Sequence, residues 1–133
     1  MSKCVSWVGT VTYMSPERIK GEAYSYDADV WALGLCAMEC ALGRFPYGAP
    51  DGGGLGFWEL LDFIVSEPAP ALPAEAFSPE LRAFAAACLE KEPRARPSLA
   101  ALAAHPFLAK YPPADLAALI PPALQQQSAR DGS

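Results

Sequence analysis

The 133-residue sequence contains no asparagine and only one histidine, His105. Its four cysteines, Cys4, Cys36, Cys40 and Cys88, form no C-x-x-C pair. A single imidazole and unpaired thiols do not make zinc-ligand spacing, so no metal site is expected. Lys and Arg number 10 against 15 Asp and Glu, for a formal net charge of −5, and the cations are scattered. That excludes the concentrated basic footprint of a nucleic-acid binder and the polybasic anchor of a membrane-surface protein. No apolar run approaches the about 20 residues that span a bilayer. Met1 to Val11 has no signal-peptide core either. Strand signals are almost missing, and no internal repeat is visible. These absences describe a chain of a reducing, cytoplasmic setting.

What is present is a globular composition, 52% hydrophobic and 19% charged, long enough for one domain. The most apolar stretch, DADVWALGLCAMECALG from Asp27 to Gly43, carries apolar residues on nearly every face from Val30 to Leu42. A helix of that kind is buried all round or spans a membrane, and about 13 residues interrupted by Glu39 are too few to span. Burial is therefore expected, with Cys36 and Cys40 as small core hydrophobes. Ser25 or Asp27 can cap its start, and Gly43 supplies a left-handed stop. Asp29 sits near its head. It is either a carboxylate that must find donors in an apolar core, or a solvent-facing first-turn acid favoured by the helix dipole.

Around this rod the pattern is helical, so the fold class is mainly α. Residues 1–16 read as an extended loop punctuated by Gly9 and Pro16, with a short helix from Pro16 to Gly21. The run GAPDGGGLG from Gly48 to Gly56 reads as a linker. It lacks the G-K-[ST] of a P-loop and follows a helix, where a nucleotide fingerprint would follow a strand. FWELLDFIVS, Phe57 to Ser66, carries a helical stripe of Phe57, Leu60, Leu61, Ile64 and Val65. After prolines 68, 70 and 73, Ser78-Pro79-Glu80 starts a helix that Lys91 and Pro93 end. A short helix is expected from Ser98 to about Ala104, stopped by Pro106, and one helical turn pair between Ala114 and Ile120. Beyond Leu124 disorder is expected.

Three separated stretches resemble the protein kinases. Val8-Gly9-Thr10-Val11-Thr12-Tyr13-Met14-Ser15-Pro16-Glu17-Arg18 resembles the end of an activation segment, with Ser-Pro-Glu where Ala-Pro-Glu is usual. Asp29-Val30-Trp31-Ala32-Leu33-Gly34 resembles the D-x-W-x-x-G helix. Arg96-Pro97-Ser98 followed by His105-Pro106-Phe107 resembles the closing signature. Order and spacing agree, and the likeness covers residues 6–107. Ser6-Trp7-Val8-Gly9-Thr10, Tyr13 to Ile19 and the Gly56 to Pro68 segment look like the MAP kinase kinase group. Those dual-specificity enzymes phosphorylate a Thr and a Tyr of a MAP kinase and are switched on by an upstream MAP kinase kinase kinase.

The resemblance implies roles. Ser6 matches one activating phosphorylation site and Ser2 the other in the animal pattern; in the plant pattern the partner would fall before Met1. Thr10, Thr12, Tyr13 and Met14 match the substrate-recognition loop. Glu17 and Arg96 match a largely buried ion pair under the activation segment. Asp29 matches the aspartate that accepts hydrogen bonds from catalytic-loop amides. The helix from Phe57 to Val65 matches a docking surface, with Trp58 as its exposed contact and Leu60, Leu61 and Ile64 as core. Residues 108–133 form a Pro/Ala-rich tail after the partial kinase domain of residues 1–107. Its 108–124 segment stands where some relatives bind their activator.

Phosphoryl transfer in this family needs a Gly-rich loop, a strand lysine, a catalytic Asp, an Asn and a metal-binding Asp. With no asparagine and no H-R-D, D-F-G or V-A-I-K, these residues hold none of that machinery. The expectation is a partial C-terminal lobe of a kinase-like fold, with the N-lobe and catalytic loop absent. Alone it should bind no ATP or Mg and catalyse nothing. A non-catalytic helical module that binds MAP kinases or activators is the alternative.

Overall fold

The computed structural model describes residues 13–48, 55–111 and 116–119. Among them every regular element is helical: α1 Pro16–Ile19, α2 Asp27–Leu42, α3 Phe57–Ser66, α4 Pro79–Cys88, α5 Leu99–Ala103 and α6 Pro106–Lys110. Two 3-10 turns lie at Pro93–Ala95 and Leu116–Leu119. No described helix is long and apolar enough to cross a membrane.

Local chemistry explains most boundaries. α2 ends at Gly43, whose N–H makes the last bond to Glu39 O at 2.8 Å and whose φ of 73° then turns the chain out of the helix. Its start differs from expectation. Tyr26 is the N-cap residue and makes no side-chain cap bond. The Asp27 carboxylate turns outward and accepts from the Ser25 N–H at 3.2 Å. α4 begins as its sequence predicts, with Ser78 Oγ accepting from Leu81 N–H at 3.3 Å and Pro79 in the first turn. It stops at Cys88, short of Lys91. Leu89 turns into the core at 1% exposure, which frees Lys91 and Arg96 to reach partners in other elements. α5 is capped by Ser98, and α6 restarts where Pro106 reads as a stop. Proline is equally a good first residue, and here His105 Nδ1 accepts from Phe107 N–H at 3.1 Å to seal the new start.

The core is built on one side of α2. Trp31, Leu35 and Met38 pack with Tyr47, Leu60, Ile64, Leu72, Ala85 and Leu89. Val30 packs with Phe84, Cys88 and Leu102. The crossing of α2 over α4 is close at Gly34, where an added Cβ would lie 2.6 Å from Cys88 Cβ and 3.0 Å from Leu89.

The all-round burial expected for α2 is not what the structure shows. Asp29, Leu33, Cys36 and Cys40 recur at spacings of four, three and four, and all are exposed, Leu33 at 41%. Cys36 and Cys40 are therefore surface thiols. α4 and the chain around it cover one face of the rod, and this stripe faces solvent among the described residues. Cys88, by contrast, is fully buried, and desolvation raises its thiol pKa to about 11.

Two outcomes follow. Gly34→Ala should destabilise the chain by ~1–3 kcal/mol in urea melts, since a 2.6 Å carbon contact cannot be relieved by side-chain rotation and overpacking outweighs alanine's better helix propensity. Mass-mapped alkylation under native conditions should label Cys36 and Cys40 within minutes and Cys88 only after unfolding; equal rates would contradict the packing.

Candidate functional site

The site begins with a carboxylate that the fold has fully enclosed. Glu17 lies in α1 behind Pro16, and its side chain is 1% exposed. An isolated buried carboxylate would be costly, so it needs a cation brought to it. Arg96, 79 residues away, supplies one from the end of the Pro93–Ala95 turn, with its side chain 0% exposed. Nη1 meets Oε1 at 2.6 Å and Nη2 meets Oε2 at 2.9 Å, a two-pronged pair. The remaining donors are also used: Nη1 to Asp27 O at 2.9 Å, Nε to Glu90 O at 2.7 Å and Nη2 to Lys91 O at 3.5 Å. All five guanidinium N–H groups thus have acceptors. The guanidinium carbon also lies 5.2 Å from the Trp31 ring centre, over the head of α2. Burial pushes the Glu17 carboxyl pKa up, but the Arg96 hydrogen bonds prevail and hold it below the ordinary value.

Just before α1 the chain lies on the tail of α2. Tyr13 OH donates to Glu39 Oε2 at 2.6 Å, and its ring stands edge-on to Phe45 at 5.7 Å. The hydrogen bond to Glu39, with some burial and the nearby negative charge, raises the Tyr13 pKa to about 12. Met14 is half-buried beside it, and Ser15 and Pro16 are buried. Ser2, Ser6, Thr10 and Thr12 lie outside the described residues. Of the two readings of Asp29, the structure takes the second: the carboxylate is exposed in the first turn of α2, at the head of the uncovered stripe.

α3 presents its apolar stripe inward, with Leu60 and Ile64 buried and Leu61 half-buried, as its periodicity predicts. Trp58 stands out at 77% exposure, edge-on to Phe57 at 4.9 Å. The Lys91 contact with this helix is one that sequence reading missed. Lys91 Nζ donates to Ile64 O at 2.5 Å, Val65 O at 2.8 Å and Glu67 O at 2.7 Å. α3 ends without a glycine stop or a basic residue in its last turn. Its open carbonyls signal that a donor must come from elsewhere, but not which one. Burial lowers the Lys91 pKa. The Tyr13–Glu39 bond was likewise invisible, since neither residue alone announces a partner.

Chemically, the arrangement holds chain segments in place. Among the described residues no group of three or more His, Cys, Asp or Glu could hold a metal ion. The Glu17–Arg96 pair, Tyr13–Glu39 and Lys91 join the loop before α1, the central helix and the end of α3 into one rigid support.

Comparison with known proteins gives this support a context. A profile of the protein kinase domain matches residues 1–108. Mitogen-activated protein kinase kinase 3 of Arabidopsis thaliana is 49% identical over 111 residues, covering 84% of this chain and 21% of that protein. Mitogen-activated protein kinase kinase 2 of the same plant is 49% identical over 108 residues, covering 80% and 30%. Mitogen-activated protein kinase kinase 1c of Physcomitrium patens is 50% identical over 109 residues, covering 80% and 31%. The chain therefore spans between about a fifth and a third of the length of these relatives.

Removing either partner of the buried pair should be severe. Arg96→Met strands the Glu17 carboxylate and should cost about 3–5 kcal/mol in denaturant unfolding. The pair also sets an acid limit. Glu17 has a lower pKa folded than its ordinary 4.5, so its contribution is complete above about pH 4.5 and is lost as pH falls through the folded value. Stability measured from pH 7 to pH 2 should decline below about pH 4.5, and Glu17→Gln should flatten that decline. An unchanged acid limb in Glu17→Gln would refute the assignment.

Proposed function

The chain belongs to the protein kinase family, where its similarity is to MAP kinase kinases, and on that premise we propose that it is the scaffold and substrate-facing part of such an enzyme's helical lobe. The reaction of the longer protein would be ATP-dependent phosphorylation of a MAP kinase on Thr and Tyr. The ATP site, Mg and catalytic loop would be supplied by sequence outside these 133 residues, and the chain alone would be inactive. The observation that carries this reading is the buried two-pronged Glu17–Arg96 pair, which fastens the segment that follows Tyr13 and Met14 to the head of α2.

In this reading Ser6 and Ser2 are the regulatory phosphorylation sites, and Thr10, Thr12, Tyr13 and Met14 receive the substrate residue next to the acceptor. Asp29 would accept backbone N–H groups of the catalytic loop, which suits its exposure at the head of α2. A neighbouring segment of the longer protein would then cover Leu33, Cys36 and Cys40. Trp58 would contact the substrate kinase or the upstream activator. A second reading, a non-catalytic module that binds MAP kinases or their activators, is favoured by the 77% exposure of Trp58.

The test compares two proteins. The 133-residue chain should show no ATP binding by calorimetry with or without Mg, and Asp29→Ala should shift its stability by no more than about 0.5 kcal/mol, as for other exposed sites. In a longer protein that carries an upstream G-x-G-x-x-G, H-R-D and D-F-G, dual phosphorylation of a MAP kinase should appear, and Asp29→Ala should abolish most of it. Nucleotide binding by the short chain, or an active longer protein indifferent to Asp29→Ala, would refute the proposal.

A further inference from the structure

Between the tail of α2, the outer side of α4 and the extended segment before α4 lies a cavity of about 370 Å³. Met38, Leu72 and Ala85, all buried, form its floor. Ala83 and Ala86 stand exposed at its edge, and the half-buried Arg82 is the one charged residue among the described residues that line it. The room has a local cause. α4 turns Phe84, Ala85 and Cys88 into the core. Ala83 and Ala86 fall on the adjoining face, where a methyl group fills little of the space a longer side chain would take. Pro70 and Pro73 keep the facing segment extended, and from it Leu72 drops into the core.

Arg82 is unlike Arg96, whose donors are all spent. Its Nε donates to Phe77 O at 3.2 Å, which fixes the root of the guanidinium. Nη1 and Nη2 meet no acceptor among the described residues. Two N–H groups at the end of a planar fork match the two oxygens of one carboxylate. One cation beside an apolar hollow also balances one anion, whereas a dianionic phosphate would leave a charge uncompensated there. The net charge of −5 further disfavours polyanions. In size and character the cavity fits small-ligand sites, which run from about 300 to 1,000 Å³ and are mostly apolar with a few placed polar groups.

We propose that this cavity binds a free medium-chain fatty acid, with its carboxylate on the Nη groups of Arg82 and its acyl chain over Met38, Leu72 and Ala85. The lining side chains offer no hydrogen-bond donor besides Arg82, so a polar body would lose its water without replacement, and a saturated hydrocarbon loses nothing. Such a ligand bridges α2, α4 and the segment before α4, and by binding only the folded chain it stabilises that state. None of these residues carries a role in the kinase reading, and fatty-acid binding stands or falls without it.

The test titrates decanoate, below its micellar concentration, into the 133-residue chain by calorimetry, with decanol as the neutral control. One decanoate should bind per chain, about tenfold more tightly than decanol, because only the carboxylate gains charge-assisted hydrogen bonds. Octanoate, with two fewer methylenes to bury, should bind about tenfold more weakly than decanoate. Decanoate should also raise the melting temperature with increasing dose. Arg82→Met should weaken decanoate about tenfold and leave decanol unchanged. Arg82→Lys, which keeps the charge without the fork, should fall between. Ala86→Phe fills the cavity and keeps the charge, so it should weaken both ligands. Ala86 is exposed, and the ligand-free melt of that variant should match the parent. No binding, unsaturable uptake, or equal affinity for decanol and decanoate overturns the site without recourse to any variant. Decanoate binding indifferent to Arg82→Met or to Ala86→Phe overturns it as well.

Discussion

One side chain with every donor spent organises this chain. Arg96 binds the Glu17 carboxylate with two nitrogens and gives its other N–H groups to backbone oxygens of Asp27, Glu90 and Lys91. Those partners come from three places: the short helix after the Tyr13 loop, the head of the central helix and the turn after α4. A guanidinium suits this task because its fork is planar and permanently charged, whereas an ammonium is a point charge with three donors. A buried ion pair adds little net stability over well-packed apolar groups, but breaking it is expensive. Its effect here is to fix which segments meet.

From that anchor the architecture extends in two directions. Toward the chain start, Tyr13 ties the residues just before α1 to Glu39 and Phe45. Toward the end of α3, Lys91 closes carbonyls that the helix leaves open. The central helix carries both, and it is two-sided. One side packs tightly enough that Gly34 has no room for a methyl group beside Cys88. The other shows Asp29, Leu33, Cys36 and Cys40 to solvent.

Much of the fold was legible from local rules. The Ser78-Pro79 start, the Gly43 stop and the inward stripe of α3 each depend on residues within one or two turns, where capping and periodicity act directly. The failures share a cause. Apolar content around the whole of α2 points to burial of Cys36 and Cys40, but periodicity cannot tell how many faces will find neighbours. α6 was missed because proline both ends and begins helices, and only the His105 cap decides which.

By itself the sequence determined the helical class, the Ser78 start and the Gly43 stop, the kinase motifs and the presence of Glu17 and Arg96 at matching positions. Their meeting across 79 residues was an expectation from resemblance, since no local property of either residue names the other. Tertiary structure alone decided between the two readings of Asp29, which faces water, and placed Lys91 at the end of α3. The physical reason is range. Propensity, capping and periodicity act over a few residues of chain, while burial and long-range hydrogen bonds depend on which surfaces the whole fold brings together.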